Sequence, residues 1–170
     1  MNPGWMLPDA AFRWIEATIE TGERILEFGS GDGSERLVEH YEMTSIEHDI
    51  SWVGRTRSTY IHAPIVFNQT SNQYGQEGWY DFTALEDLPE AVSLIIVDGP
   101  PGEIGRMGLL EHLHVLPKWK FMLVDDTDRS EEMELSAKLC EHFGCSSTRI
   151  ETEQFKANGD KRMFDILENR

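Results

Sequence analysis

Residues 24–34 read RILEFGSGDGS and residues 92–101 read VSLIIVDGPP. In both, a short apolar run breaks abruptly into glycine and an acid. Val92 to Val97 is unbroken and rich in β-branched residues, the form of a parallel strand covered on both faces. Arg24 to Phe28 reads the same way, and its glycines let the chain turn sharply and approach a ligand closely. Buried strands of this kind, alternating with helices, imply a mainly parallel α/β sheet, whose ligands bind beyond the carboxyl ends of its strands.

The flanking sequence alternates between two hydrophobic periods. Upstream, Pro8-Asp9 opens a helical pattern with Phe12, Ile15 and Ile19 on one face, closed by Gly22. After the glycine loop, Ser34 is placed to cap a short helix to Tyr41, with Leu37, Val38 and Tyr41 inward. Met43 to Glu47 and Tyr60 to Phe67 read as the next two strands. A helix is predicted from Arg106 to Leu116, with Leu109, Leu113 and Leu116 on one face and Pro117 beyond its end. Phe121 to Val124 is a strand ending in Asp125-Asp126. Asp128 to Glu131 resembles a capping box, opening a helix with Met133, Leu135, Leu139 and Phe143 that stops at Gly144. Ser147 to Phe155 and Arg162 to Leu167 flank Asn158-Gly159, a favoured hairpin dipeptide. The reading is one α/β, Rossmann-like domain over residues 1–170. It has a mainly parallel seven-stranded sheet, helices on both faces and an antiparallel C-terminal hairpin. Residues 68–91 form a polar stretch too long for an ordinary connection, of the kind that is functional or partly disordered.

Composition narrows the partners. The 170 residues carry 31 acids against 15 Lys and Arg, a formal net charge of −16, with 39% hydrophobic residues, enough for a real core. None of the cations forms a run, which argues against a general nucleic-acid or anionic-membrane binder. Two cysteines, Cys140 and Cys145, make neither a disulfide framework nor a structural zinc site, so a reducing, cytoplasmic setting is expected. The start, MNPGWMLPDAAF, lacks the cationic and apolar run of a signal peptide. The expected partner is a small-molecule substrate; the sequence does not speak to oligomeric state.

The strand ends carry the candidate chemistry. Glu27, Gly29, Ser30, Gly31, Gly33 and Ser34 follow the first strand, but Ser34 stands where the dinucleotide fingerprint has its third small residue. The second strand ends in Glu47-His48-Asp49, and an acid about 20 residues beyond the loop's start suits the hydroxyls of an adenosine ribose. A nucleoside ligand is expected. Pyrophosphate is disfavoured by the acid before the loop.

LEFGSGDGS, SIEHD, IIVDGPPG and LVDDTDR together resemble the class I S-adenosylmethionine-dependent methyltransferases, over nearly the whole chain and most closely small bacterial-type members. The resemblance implies that Gly29, Ser30 and Gly31 wrap the methionine part of the cofactor. It implies that Glu47 holds the ribose, with His48 and Asp49 beside the adenine. A sulfonium cation without phosphate suits an acidic glycine loop. Asp98, Gly99 and Pro100 after the fourth strand complete the expected cofactor set, and Asp98 is the candidate catalytic residue.

Asp98, Asp125 and Asp126 end neighbouring strands, and converging carboxylates repel unless a cation or hydrogen bonds offset them. Magnesium is one solution. The layout resembles metal-dependent O-methyltransferases, although the Gly-Pro-Pro after Asp98 departs from them. The alternative is that Asp98 meets the cofactor's amino group while Asp125 and Asp126 serve as capping or turn residues. Trp52, Trp79, Tyr80 and Phe82 are candidates to flank adenine or substrate, with core or rim packing as the plainer reading. Arg106 reads as a partner for an anionic substrate group or a salt bridge at a helix start.

The preferred expectation is a methyltransferase acting on a small hydroxylated acceptor, with or without magnesium. Asp98-Gly-Pro-Pro101 stands where an Asn-Pro-Pro-Tyr type motif would point to amines of nucleic-acid bases. Two other classes stay open. One is a non-catalytic cofactor-binding or protein-interaction module of similar fold; the other is a nucleotide-dependent oxidoreductase.

Overall fold

The computed structural model describes residues 6–71 and 75–169. In chain order they form α1 (Asp9–Thr18), β1 (Arg24–Phe28), α2 (Asp32–Leu37), β2 (Glu42–Glu47), β3 (Thr59–His62), β4 (Ile65–Ser71) and β5 (Gln76–Tyr80). Then follow β6 (Ala91–Val97), β7 (Lys118–Asp125), α3 (Ser130–Phe143), β8 (Ser146–Phe155) and β9 (Lys161–Glu168). Seven strands make one sheet in the order β3-β2-β1-β6-β7-β9-β8, and β4 pairs with β5 as a separate antiparallel ribbon. Strands β3, β2, β1, β6 and β7 pair in parallel; β9 is antiparallel to both β7 and β8. The chain order reverses between β1 and β6, so the crevice of this sheet opens beyond Phe28 and Val97.

The apolar runs alternate their side chains between two cores. Ile25, Leu94, Ile96, Phe121 and Leu123 pack with Phe12 and Ile15 of α1 and Leu37 of α2. Leu26, Ile95, Val97, Met122 and Val124 pack on the opposite face with Leu135 and Leu139 of α3. Burying each such side chain contributes about 1.5–3 kcal/mol, so the central strands are the rigid base for the loops at their ends. Gly144 closes α3 at φ +64°, a left-handed position that glycine adopts without strain. Among the described residues, no helix is long and apolar enough to cross a membrane.

Four local expectations are corrected. Tyr60 to Phe67 is not one strand: Pro64 has no N–H to continue the ladder, and β4 swings away to pair with β5. The 68–91 stretch is therefore largely ordered ribbon and turn, although residues 72–74 lie outside the described residues, as do residues 1–5 of the N-terminal reading. Residues 106–116 form two short 3₁₀ turns, Met107–Glu111 and Leu113–Val115, rather than an α-helix. Gly108 packs so closely on the ribbon that an added Cβ would stand 2.7 Å from the Trp79 Cβ, which pins this segment against β5. The two remaining helices start away from their expected caps: Asp32 opens α2 ahead of Ser34, and Ser130 opens α3 with no side-chain cap.

Leu135 is fully buried whereas Met133, two residues earlier on α3, is 43% exposed. Leu135→Ala is expected to lower unfolding stability by about 2–5 kcal/mol, and Met133→Ala to change it by about 0.5 kcal/mol or less, as read from denaturant midpoints.

Candidate functional site

The loops after β1 and β6 meet backbone to backbone. Gly29 sits at φ +86°, and a Cβ there would lie 2.9 Å from both the Asp98 carbonyl oxygen and the Gly99 Cα. Only glycine fits that position, so RILEFG turns against DGPP and the two strand ends share one wall. Next to it, the carboxylate of Glu47 is held from three sides. Ser30 N–H donates to Oε2 at 2.9 Å, Asp49 N–H to Oε1 at 2.8 Å, and His48 Nδ1 lies 2.9 Å from Oε1. Burial pushes this acid up, but the His48 contact and the two amides outweigh it and hold Glu47 below the usual carboxylate range. It stays ionised and fixed in direction.

These loops enclose a cavity of about 400 Å³, lined by Gly29, Ser30, Glu47, His48, Asp49, Asp98 and Gly99 among the expected site residues. Its wall is completed by Trp52, Tyr80, Pro101, Gly102, Glu103, Arg106, Asp126 and Arg129. Tyr80 comes from the β4–β5 ribbon and packs on Phe28 and Trp79. Its hydroxyl is buried and has no hydrogen-bond partner among the described residues. A buried unpaired hydroxyl costs about 1–3 kcal/mol, a cost that a partner in the cavity would relieve.

The other expected residues lie behind that wall. Glu27, Gly31, Gly33 and Ser34 line a small pocket beneath the glycine loop. Pro100 is buried, and its carbonyl accepts a hydrogen bond from Arg106 Nε. Asp125 is buried below the rim, where Arg162 Nη2 donates to its Oδ2 at 3.1 Å. Trp79 belongs to the core, and Phe82 stacks on His112.

Asp98, Asp125 and Asp126 do converge: one oxygen from each lies within 4.8 Å of the others. The salt bridge expected of Arg106 forms among these three acids. Arg106, 3% exposed, donates from Nη2 to Asp98 Oδ1 at 3.3 Å and Asp126 Oδ2 at 3.1 Å, and from Nη1 to the Asp125 carbonyl at 2.9 Å. Arg129 and Lys156 also reach Asp126, at 3.3 and 2.9 Å. Asp126 is the only non-glycine residue with positive φ among the described residues, at 60°, a turn that carries its carboxylate back to these cations. Burial works against the charge on Arg106, but Asp126 and Asp98 more than offset it. Burial and Asp125 push Asp98 well above the carboxylate range, and burial and Asp126 push Asp125 to about 6. A guanidinium already holds one oxygen each of Asp98 and Asp126, while Asp125 Oδ1 is buried without a hydrogen-bond partner among the described residues, so a divalent ion here would have to sit against Arg106.

Glu27 is 4% exposed and accepts a hydrogen bond from Ser45 Oγ, its register partner on β2. Burial raises it to about 7. The folded state therefore keeps a proton that the unfolded chain loses near 4.5, so Glu27 stabilises the fold below that pH and the contribution fades as pH rises to 7. Glu27→Gln is expected to flatten the stability–pH curve between those limits by up to about 3 kcal/mol, measured by urea unfolding at several pH values.

No protein-family model matches the sequence, and no curated protein matches it. Solved structures do share its fold. The O-methyltransferase from Bacillus cereus in complex with SAH superposes with a TM-score of 0.63 at 12% identity, over 98% of this chain and 84% of that one. The O-methyltransferase TomG from Streptomyces achromogenes, in complex with SAM and involved in tomaymycin synthesis, gives 0.60 at 15% identity, over 99% and 83%. The delta-N METTL16 methyltransferase domain gives 0.59 at 12% identity, over 94% and 80%. The fold is that of the class I S-adenosylmethionine-dependent methyltransferases.

Proposed function

We propose that the chain is an S-adenosylmethionine-dependent O-methyltransferase for a small hydroxylated acceptor. The observation that carries the reading is Glu47: an ionised carboxylate, fixed by Ser30 and Asp49 amides, at the wall of a nucleoside-sized cavity on the switch-point edge of a methyltransferase fold. The cofactor supplies a methyl group on a sulfonium centre. The chain's residues divide the remaining work. Glu47 accepts the two ribose hydroxyls, and Gly29, Ser30 and Gly31 form the turn beside the methionine end. His48, Asp49 and Trp52 border the adenine side, and the Tyr80 hydroxyl faces the bound ligand.

The acid-rich wall favours a cationic ligand and repels phosphate. Asp98 lines the same cavity, with its side chain one-quarter exposed. Its raised affinity for a proton suits a group that takes one from an acceptor hydroxyl. In-line transfer needs chiefly a well-placed acceptor and exclusion of water, and the aromatic ribbon beside the cavity supplies a dry side. The net charge of −16 and the absence of a basic run support a small acceptor over nucleic acid or membrane, and agree with a cytoplasmic setting.

Titration calorimetry with S-adenosylhomocysteine is expected to show one site. Glu47→Ala should weaken it at least about tenfold, since a hydrogen bond to a charged group contributes about 1.5–3 kcal/mol. No heat of binding to the folded wild-type chain would overturn the proposal.

A further inference from the structure

We infer that Arg106 is this site's resident cation, standing where a divalent metal would bridge the ends of β6 and β7, so that the chain works without one. The inference concerns the protein's own ion network and holds whatever the acceptor is. Arg106 does the mechanical work of a bridging ion. Its hydrogen bonds to the carbonyls of Pro100 and Asp125 and to the carboxylates of Asp98 and Asp126 tie two strand ends together. It also does the electrostatic work. Five buried or half-buried acids, Asp98, Asp125, Asp126, Asp128 and Glu132, are paired with Arg106, Arg129, Lys156 and Arg162. A divalent ion placed among Asp98, Asp125 and Asp126 would sit in contact with the guanidinium that already holds Asp98 and Asp126.

The backbone is shaped to deliver this side chain. Gly105 lies at φ +82°, a conformation rarely open to other residues, and turns the chain so that Arg106 leads into the cluster. A guanidinium is also permanent, since it neither dissociates nor loses its proton in the pH range of proteins. Arg106 is thus a positioning residue: it fixes Asp98 and the loop after β6 and acts on no substrate atom itself.

The test is Mn²⁺ binding, read by electron paramagnetic resonance on the full chain without cofactor. Wild type is expected to leave millimolar Mn²⁺ free. Arg106→Met, which removes the charge and keeps an unbranched side chain, should bind one equivalent at least about tenfold more tightly, through oxygen ligands that Mn²⁺ favours. Adding Asp126→Asn should abolish that gain, and Arg106→Lys should exclude the ion as wild type does. Uptake of one Mn²⁺ by wild type, lost in Asp126→Asn, would overturn the inference; so would a folded Arg106→Met chain with no gain. Removing one partner of a buried ion pair is strongly destabilising. If Arg106→Met does not fold, the wild-type and Asp126→Asn titrations decide the matter alone: free ion supports the inference and stoichiometric uptake refutes it.

Discussion

A single guanidinium, buried between the ends of two parallel strands, sets the geometry on which the candidate site rests. Asp98 and Asp125 end up side by side because β6 and β7 pair in register from Val92 to Val97. Left alone, their carboxylates and that of Asp126 would force the strand ends apart or take up protons. Arg106 holds the two strand ends together by spanning carbonyls after β6 and at the end of β7, while Asp98 and Asp125 still bind protons more tightly than free carboxylates do. Its burial is tolerable because each of its nitrogens has a partner, the condition under which a buried charge costs least. The left-handed turn at Asp126 is held by the same network, with Arg129 and Lys156 closing it from the rim.

The acidity of the chain divides into parts with different physics. Glu47 is buried yet ionised, because two amides and His48 face it. Glu27, one strand away and also buried, meets a serine hydroxyl and holds its proton near neutrality. Asp98, Asp125 and Asp126 are offset by internal cations. The acids at this sheet edge are thus individually tuned, whereas acids such as Glu42 and Glu90 lie on solvated surface.

Much of this was legible in the sequence because it is encoded locally. RILEFGSGDGS and VSLIIVDGPP each state a strand, a turn and an acid within a dozen residues, and Asn158-Gly159 marks its hairpin, with Gly159 at φ +89°. The seven cavity-lining residues from Gly29 to Gly99 follow from those two strand ends and from Glu47-His48-Asp49 at the end of β2. Arg106 was not legible as the centre of the cluster, since its helical leucine spacing masked a segment that Gly105 and Gly108 hold in 3₁₀ turns. Its four partner residues, Asp98, Pro100, Asp125 and Asp126, lie after β6 and at the end of β7, up to 20 residues away. The ribbon is the other case: Pro64 announces a break, but only pairing between β4 and β5 shows that Tyr80 returns to the cavity wall.

The cofactor wall proposed at Glu47 and the internal cation at Arg106 stand on the same sheet edge. Crystals grown with S-adenosylhomocysteine and Mn²⁺, measured at the manganese absorption edge, test both at once. The expected map has the ribose hydroxyls on the Glu47 carboxylate, Arg106 still between Asp98 and Asp126, and no anomalous peak among the three aspartates. A manganese peak there with Arg106 swung out of the cluster would contradict it.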